Sequence, residues 1–167
     1  MLNIPLADNA VDIVYTNQAI EPSRGLEKEI LSELFRVTKN YLILIEPSYE
    51  LANDEARKRI DDMGYIRDLE KIAKETLSYN VVKYEPFPFI FRPLNPTNIM
   101  IIEKNKNYKE NEIKLVCPQF KCKLEELSGH LFSHEAMKIY PVINGIPCLR
   151  TKNGIIASKY PIFTSPV

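Results

Sequence analysis

The chain has 167 residues, 45% of them hydrophobic and 26% charged, which suits one medium domain, or one domain with a small module, and allows a core of useful size. Lys plus Arg and Asp plus Glu number 22 each, so the formal net charge is zero and no global basic field exists to draw in nucleic acid or an acidic membrane. The longest apolar run, Tyr41 to Ile45, falls far short of the roughly 20 residues a membrane-spanning helix needs. The opening Met-Leu-Asn-Ile-Pro-Leu-Ala-Asp lacks the basic start, apolar stretch and cleavage site of a signal peptide, so a cytoplasmic location is expected. Three cysteines, an odd number, argue against a disulfide framework.

Val11 to Thr16 is a short run rich in strand-forming residues and predicts a first strand. Glu21-Pro22-Ser23 breaks it, with Ser23 placed to cap a helix. From Arg24 to Lys39 the apolar residues Leu26, Ile30, Leu31, Leu34, Phe35 and Val37 recur at helical spacing, and Asn40 can end that helix. Tyr41 to Ile45 is apolar on both faces, as a central strand covered on each side requires. Ala52 to Met63 predicts a charged helix stopped at Gly64, and Arg67 to Leu77 a further helix with Leu69, Ile72, Ala73 and Leu77 inward.

Asn80 to Tyr84 reads as a strand, Pro86 to Pro96 as an aromatic, proline-rich loop, and Thr97 to Ile102 as a last strand. The order is an α/β pattern. No crossover helix separates the final two strands, so an antiparallel pair is expected there. Glu103 to Glu112 is polar and charged and reads as a linker. The remainder is short, with turn pairs at Ser128-Gly129, Asn144-Gly145 and Asn153-Gly154, of which Asn-Gly between apolar residues signals hairpins.

Ile4-Pro5-Leu6-Ala7-Asp8, then Asp12-Ile13-Val14-Tyr15, then Leu34-Phe35-Arg36-Val37 at a helix end and Tyr41 to Glu46-Pro47 resemble the middle of a class I S-adenosylmethionine-dependent methyltransferase. The likeness extends less distinctly to about Lys104. It implies a partial Rossmann-like α/β sheet over residues 1–104, lacking its first strands, with S-adenosylmethionine as cofactor. In such sheets ligands sit beyond the carboxyl ends of the strands. The resemblance therefore implies that Tyr15, Thr16 and Asn17 line the methionine end of the cofactor, and that Glu21 and Glu46 face the acceptor substrate. The alternative is that Tyr15 and Glu46 only terminate strands, with Pro47 and Ser48 turning the chain. No catalytic residue is singled out. The five glycines, at 25, 64, 129, 145 and 154, provide no Gly-x-Gly turn for the cofactor, because no two lie close enough. Against the family pattern the chain starts after the third strand, which would leave an apolar face and a pairing edge to be covered by a second copy or by a complementary methyltransferase subunit.

After the 105–112 linker, residues 113–167 form the tail. Cys117-Pro118-Gln119-Phe120-Lys121-Cys122-Lys123-Leu124 and Tyr140-Pro141-Val142-Ile143-Asn144-Gly145-Ile146-Pro147 resemble the opening and close of the small zinc-ribbon-like partners of methyltransferases, the Trm112-like family. A structural zinc needs four thiolate or imidazole ligands. Of the pattern's four ligand positions only Cys117 carries one, the others being Phe120, Ser133 and Ala136. Cys122, His134 and His130 are the nearest substitutes, out of register. No metal is expected: Cys117, Cys122 and Cys148 read as small core residues, with Phe120 filling the former metal cavity.

Two functions follow. The chain is a methyltransferase-like protein of unspecified acceptor, or it is a non-catalytic partner that binds and stabilises a complete methyltransferase. Phosphate-loop and nucleophile-elbow motifs are absent from the sequence. Asp61-Asp62 and Glu125-Glu126 read as solvated faces. His130 and His134 share either a helix face or a turn.

Overall fold

The computed structural model describes residues 2–77, 81–89, 92–104 and 114–159. The chain divides into two compact units, one of Met1–Leu2 with Asp8–Glu110 and one of Asn3–Ala7 with Asn111–Val167. The expected linker at 105–112 lies outside the described residues.

The first unit is a mixed α/β layer. Its elements are β1 (Val11–Asn17), α1 (Glu27–Val37), β2 (Thr38–Pro47), α2 (Asp54–Asp62), α3 (Leu69–Leu77), β3 (Val81–Pro86) and β4 (Thr97–Glu103). The sheet order is β1-β2-β4-β3. β1 and β2 are parallel, from Ile13 opposite Tyr41 to Asn17 opposite Ile45. β4 is antiparallel to both β2 and β3. Three strands, β1, β2 and β3, therefore run the same way with one reversed strand inserted. The expected antiparallel pairing of the last two strands is observed.

Period-2 alternation decides which residues enter the core. Leu42, Leu44, Met100 and Ile102 are buried in register with one another. The helices add Ile30, Leu31, Leu34, Leu69, Ala73 and Leu77 to the core, with α1 packed on β1, β2 and α3. Sheet residues in the alternate phase are less covered: Ile43, Ile45, Ile99 and Ile101 are half-buried, while Ile13 and Tyr15 on edge strand β1 are exposed. α2 has a small core of its own, where Ala52, Ala56, Ile60 and Tyr65 pack with Tyr49.

Several boundaries differ from those the sequence suggests. α1 begins at Glu27, not Arg24, because Gly25 takes φ +89° and the Glu27 carboxylate turns back to accept its N–H at 2.7 Å. Ser23 therefore caps nothing. α1 ends at Val37 without help from Asn40. Thr38 is already extended, with φ −69° and ψ 137°, and its Oγ1 donates to the Leu34 carbonyl at 2.7 Å. β2 thus takes in Thr38, Lys39 and Asn40. α2 keeps its expected stop, with Gly64 at φ +65° beyond its end, but begins at Asp54 and not Ala52, because Asn53 accepts from Ala56 N at 2.9 Å as N-cap.

The C-terminal end of α1 is closed from a distance. Lys104 Nζ donates to the Phe35 carbonyl at 2.7 Å and the Thr38 carbonyl at 3.0 Å, and lies 4.4 Å from the Phe35 ring centroid. An ammonium there satisfies carbonyls that the helix leaves open and opposes the negative end of its dipole. At the same end, Arg36 bonds both Glu33 and Asp8, and Asn9 N donates to the Arg36 carbonyl at 2.9 Å.

The second unit is β-rich: β5 (Glu125–Leu127), β6 (His130–Ser133), β7 (Lys138–Tyr140), β8 (Val142–Ile143), β9 (Ile146–Pro147) and β10 (Ile155–Ile156). β10-β7-β6-β5 form one antiparallel sheet, and β8 and β9 a hairpin. Residues 3–7 belong here, with Leu6 bridging Leu115 and Val116 N donating to the Pro5 carbonyl at 3.1 Å. Ser128-Gly129 and Asn144-Gly145 turn hairpins with both residues at positive φ, as two-residue loops demand. Asn153-Gly154 does not: Asn153 ends a single 3-10 turn and Gly154 has φ −70°. His130 lies in β6 and His134 just beyond it, so they share no helix.

Lys104→Met removes two charge-assisted hydrogen bonds to the end of α1 while keeping the aliphatic stem. It is expected to cost about 2 kcal/mol of stability, read as a lower urea midpoint at unchanged slope. An unchanged midpoint would show that the cap contributes nothing.

Candidate functional site

The carboxyl ends of β1, β2 and β3 meet the start of β4 in a cluster of buried polar groups. Glu46, the ninth residue of β2, follows Leu42 and Leu44 in the core phase and is 1% exposed. Its Oε1 accepts from Ala19 N at 3.1 Å and Ile20 N at 3.5 Å, so the carboxyl end of β2 holds the segment that follows β1. Gln18 N adds a bond to the Ile45 carbonyl at 2.8 Å. Asn98 stands opposite Glu46 on β4 and Thr16 borders the Glu46 carboxyl from β1.

Thr16 Oγ1, Glu46 Oε2, and both Nδ2 and Oδ1 of Asn98 are buried here with no well-formed hydrogen bond, the Thr16 hydroxyl turning only to the Glu46 carboxyl and the Asn98 amide only to the Tyr84 hydroxyl. Unpaired polar groups in a protein interior are costly, and here acceptors and donors converge on one strand end. Burial pushes the Glu46 carboxyl up to about 7, and the charge of Glu21 adds to the rise, against the Thr16 hydroxyl and the Ala19 and Ile20 N–H groups, which pull it down.

Around this centre Asn95 Nδ2 donates to Glu21 Oε2 at 3.5 Å, and Asn95 Oδ1 accepts from Arg59 Nη1 at 3.2 Å. The Glu21 carbonyl accepts from Ile66 N at 2.9 Å. Ser48 Oγ donates to Glu50 Oε2 at 2.8 Å and lies 3.5 Å from the Tyr84 hydroxyl. Burial raises the Tyr84 phenol above its usual range.

Of the five residues singled out by sequence, Thr16, Glu21 and Glu46 stand together. Tyr15 and Asn17 alternate to the other side of β1 and are exposed, Tyr15 by 71%. Asn95 and Asn98 were not anticipated. Asn98 had a signal, since it is a polar residue in phase with Met100 and Ile102. Asp8 and Arg36, both from the segments that carry the methyltransferase resemblance, are ion-paired at 2.8 Å at the end of α1, a structural task.

In the second unit Cys117, Tyr140 and Leu149 form a buried cluster with Cys122, Leu124, Leu131 and Ala136 packed on it. Phe120 is 52% exposed and fills no cavity, contrary to the expectation above. Cys122 turns inward in its place, with Sγ 3.3 Å from Ser133 Oγ. His134 instead bonds the Glu125 carboxylate at 2.5 Å. Among the described residues no group of three or more His, Cys, Asp or Glu side chains is placed to hold a metal. Two sulfurs and a hydroxyl do not make the four-ligand cage of a structural zinc.

No family model, curated protein or solved structure matches this chain. No helix among the described residues is long and apolar enough to cross a membrane.

Because the folded protein holds the Glu46 proton up to a pKa of about 7, against 4.5 for the free group, this residue favours the folded state below pH 4.5. That advantage declines as pH rises to about 7 and is gone above it. The loss amounts to roughly 3 kcal/mol. Glu46→Gln, which keeps an acceptor for Ala19 N, is expected to match the parent at pH 4 and exceed it in stability at pH 8. Denaturant midpoints that run parallel for the two proteins across this range would refute the assignment.

Proposed function

We propose that the chain is a methyltransferase-like protein of the class I type, with the first unit contributing the strand-end groups that face an acceptor substrate. The observation that carries this reading is the sheet itself. Its order, three like-directed strands β1, β2 and β3 with the reversed β4 between the last two, supports the reading because the second half of a doubly wound nucleotide-binding sheet also sets three parallel strands in chain order. In such sheets ligands lie at the carboxyl strand ends, where the buried polar groups of Thr16, Glu46 and Asn98 gather beside Glu21. The sequence motifs from Ile4 to Pro47 point to the same family.

The cofactor fits these residues only in part. Thr16 stands among the strand-end groups where the methionine end of S-adenosylmethionine would lie, whereas Tyr15 and Asn17 face the other side of β1. The nucleoside end requires a close backbone approach at a glycine turn. Gly25 and Gly64, the glycines of the first unit, each stand alone in helix-flanking turns. No chemical step is therefore derived through the cofactor.

A second reading, a non-catalytic partner that stabilises a complete methyltransferase, is favoured by Ile13 and Tyr15, exposed on edge strand β1. Calorimetric titration of the chain with S-adenosylmethionine, with its mass in solution measured on the same sample, separates the two. The first reading expects weak but saturable binding that Thr16→Val reduces several-fold and Lys83→Ala on β3 leaves unchanged. A folded chain that takes up no ligand would sink the cofactor-binding reading and leave the partner reading.

A further inference from the structure

We propose that Cys117 and Cys122 form a thiol–disulfide exchange site in the second unit, accepting low-molecular-weight disulfides of the glutathione class as oxidant. The inference is independent of the methyltransferase reading. Val116 and Lys123 form an antiparallel bridge, so the next residues inward, Cys117 and Cys122, stand directly across from each other. Cys117 N donates to the Cys122 carbonyl at 2.9 Å. The Cys117 carbonyl accepts in turn from Lys121 N at 2.8 Å, so the two cysteines close a tight turn, and a disulfide between them requires a Cα separation of roughly 4.4–6.8 Å. Directly opposed residues project to the same face. Both thiols do so, because Cys122 Sγ lies 3.3 Å from Ser133 Oγ and that hydroxyl also borders the Cys117 sulfur.

The two cysteines are unequal in access. Cys117 is buried and Cys122 half-buried, so the oxidant meets Cys122 first. Burial and the Glu135 carboxyl push the Cys122 thiol up to about 11, so its minor thiolate form attacks the glutathione disulfide, at a rate that rises with pH, forming a mixed disulfide and releasing one glutathione thiolate. Cys117 then gives up its proton and displaces the second glutathione thiolate from Cys122. Two protein thiols are oxidised, one external disulfide is reduced to two thiols, and no other reactant is needed. The product links the ends of the 118–121 loop. That matters because the core here is small, and small β-rich modules commonly depend on a metal or a disulfide. The described residues offer no metal cage, and the Cys148 thiol donates to the Ile146 carbonyl at 3.9 Å.

The test is equilibration of the full chain with mixtures of glutathione and its disulfide, native and in urea, followed by alkylation and tryptic mass analysis. Trypsin cuts after Lys121, so a Cys117–Cys122 bond holds two fragments together. Formation of that bond should be favoured about tenfold or more in the native protein over the denatured one, and the melting temperature should rise by several degrees with it, with Cys148 still open to alkylation. Cys122→Ser should abolish both effects. Three alkylatable thiols at every ratio, a bond no more favoured in the native state than in urea, or a mixed disulfide at Cys148 as the sole product would each overturn the proposal.

Discussion

The first unit depends on the two-sided pairing of β2. This ten-residue strand, Thr38–Pro47, bonds a parallel neighbour along one edge and an antiparallel neighbour along the other. Leu42 and Leu44 at its centre are 0% and 1% exposed, so any slip of one residue in either pairing would exchange core for surface along its whole length. The same alternation sets the site. Having filled the core with Leu42 and Leu44, the strand delivers the next residue of that phase, Glu46, to the same buried side. A carboxyl group is thus placed where only hydrophobic side chains would be comfortable, and it answers by holding its proton and by gripping the Ala19 and Ile20 N–H groups.

The sequence was most legible where local chemistry decides the outcome. The cores of β1, β2, α2 and α3 follow from apolar patterning and stop residues, and Ser128-Gly129 and Asn144-Gly145 from the positive φ their turns require. It was less legible where a distant contact decides. Gly154 looks like half of a turn pair, yet its conformation is open to any residue, and what it provides is room. A Cβ there would stand 2.9 Å from Lys138 Cδ and 3.0 Å from Tyr140 Cε1. Phe120 occupies a ligand position of the pattern it resembles, but the turn carries it outward and brings Cys122 in.

The site was half legible for the same reason. Thr16 and Glu46 sit at ends of runs that read as strands, and Glu21 in the break that follows the first of them. Asn98 becomes a site residue only through its register opposite Glu46 across a pairing of segments about fifty positions apart, and Asn95 through its contacts with Glu21 and Arg59. Conversely, Tyr15 and Asn17 are adjacent to Thr16 in the chain and yet on the other side of the sheet, because successive strand residues alternate. Proximity in sequence is a poor guide to shared chemistry on a strand.

The hold of Lys104 on α1 has a consequence for how the protein is made. The carbonyls it satisfies belong to Phe35 and Thr38, 69 and 66 positions earlier. On the ribosome, chain emerges from its N-terminus, so α1 is exposed long before its closing group exists. β2 likewise waits for β4 to cover its second edge. During that interval the nascent chain presents an uncapped helix end and an open strand edge together, which is the kind of surface that chaperones recognise and that aggregation exploits. Completion of β4 and arrival of Lys104 end both exposures within a few residues of each other, making the last strand of the unit the event that commits it to the folded state.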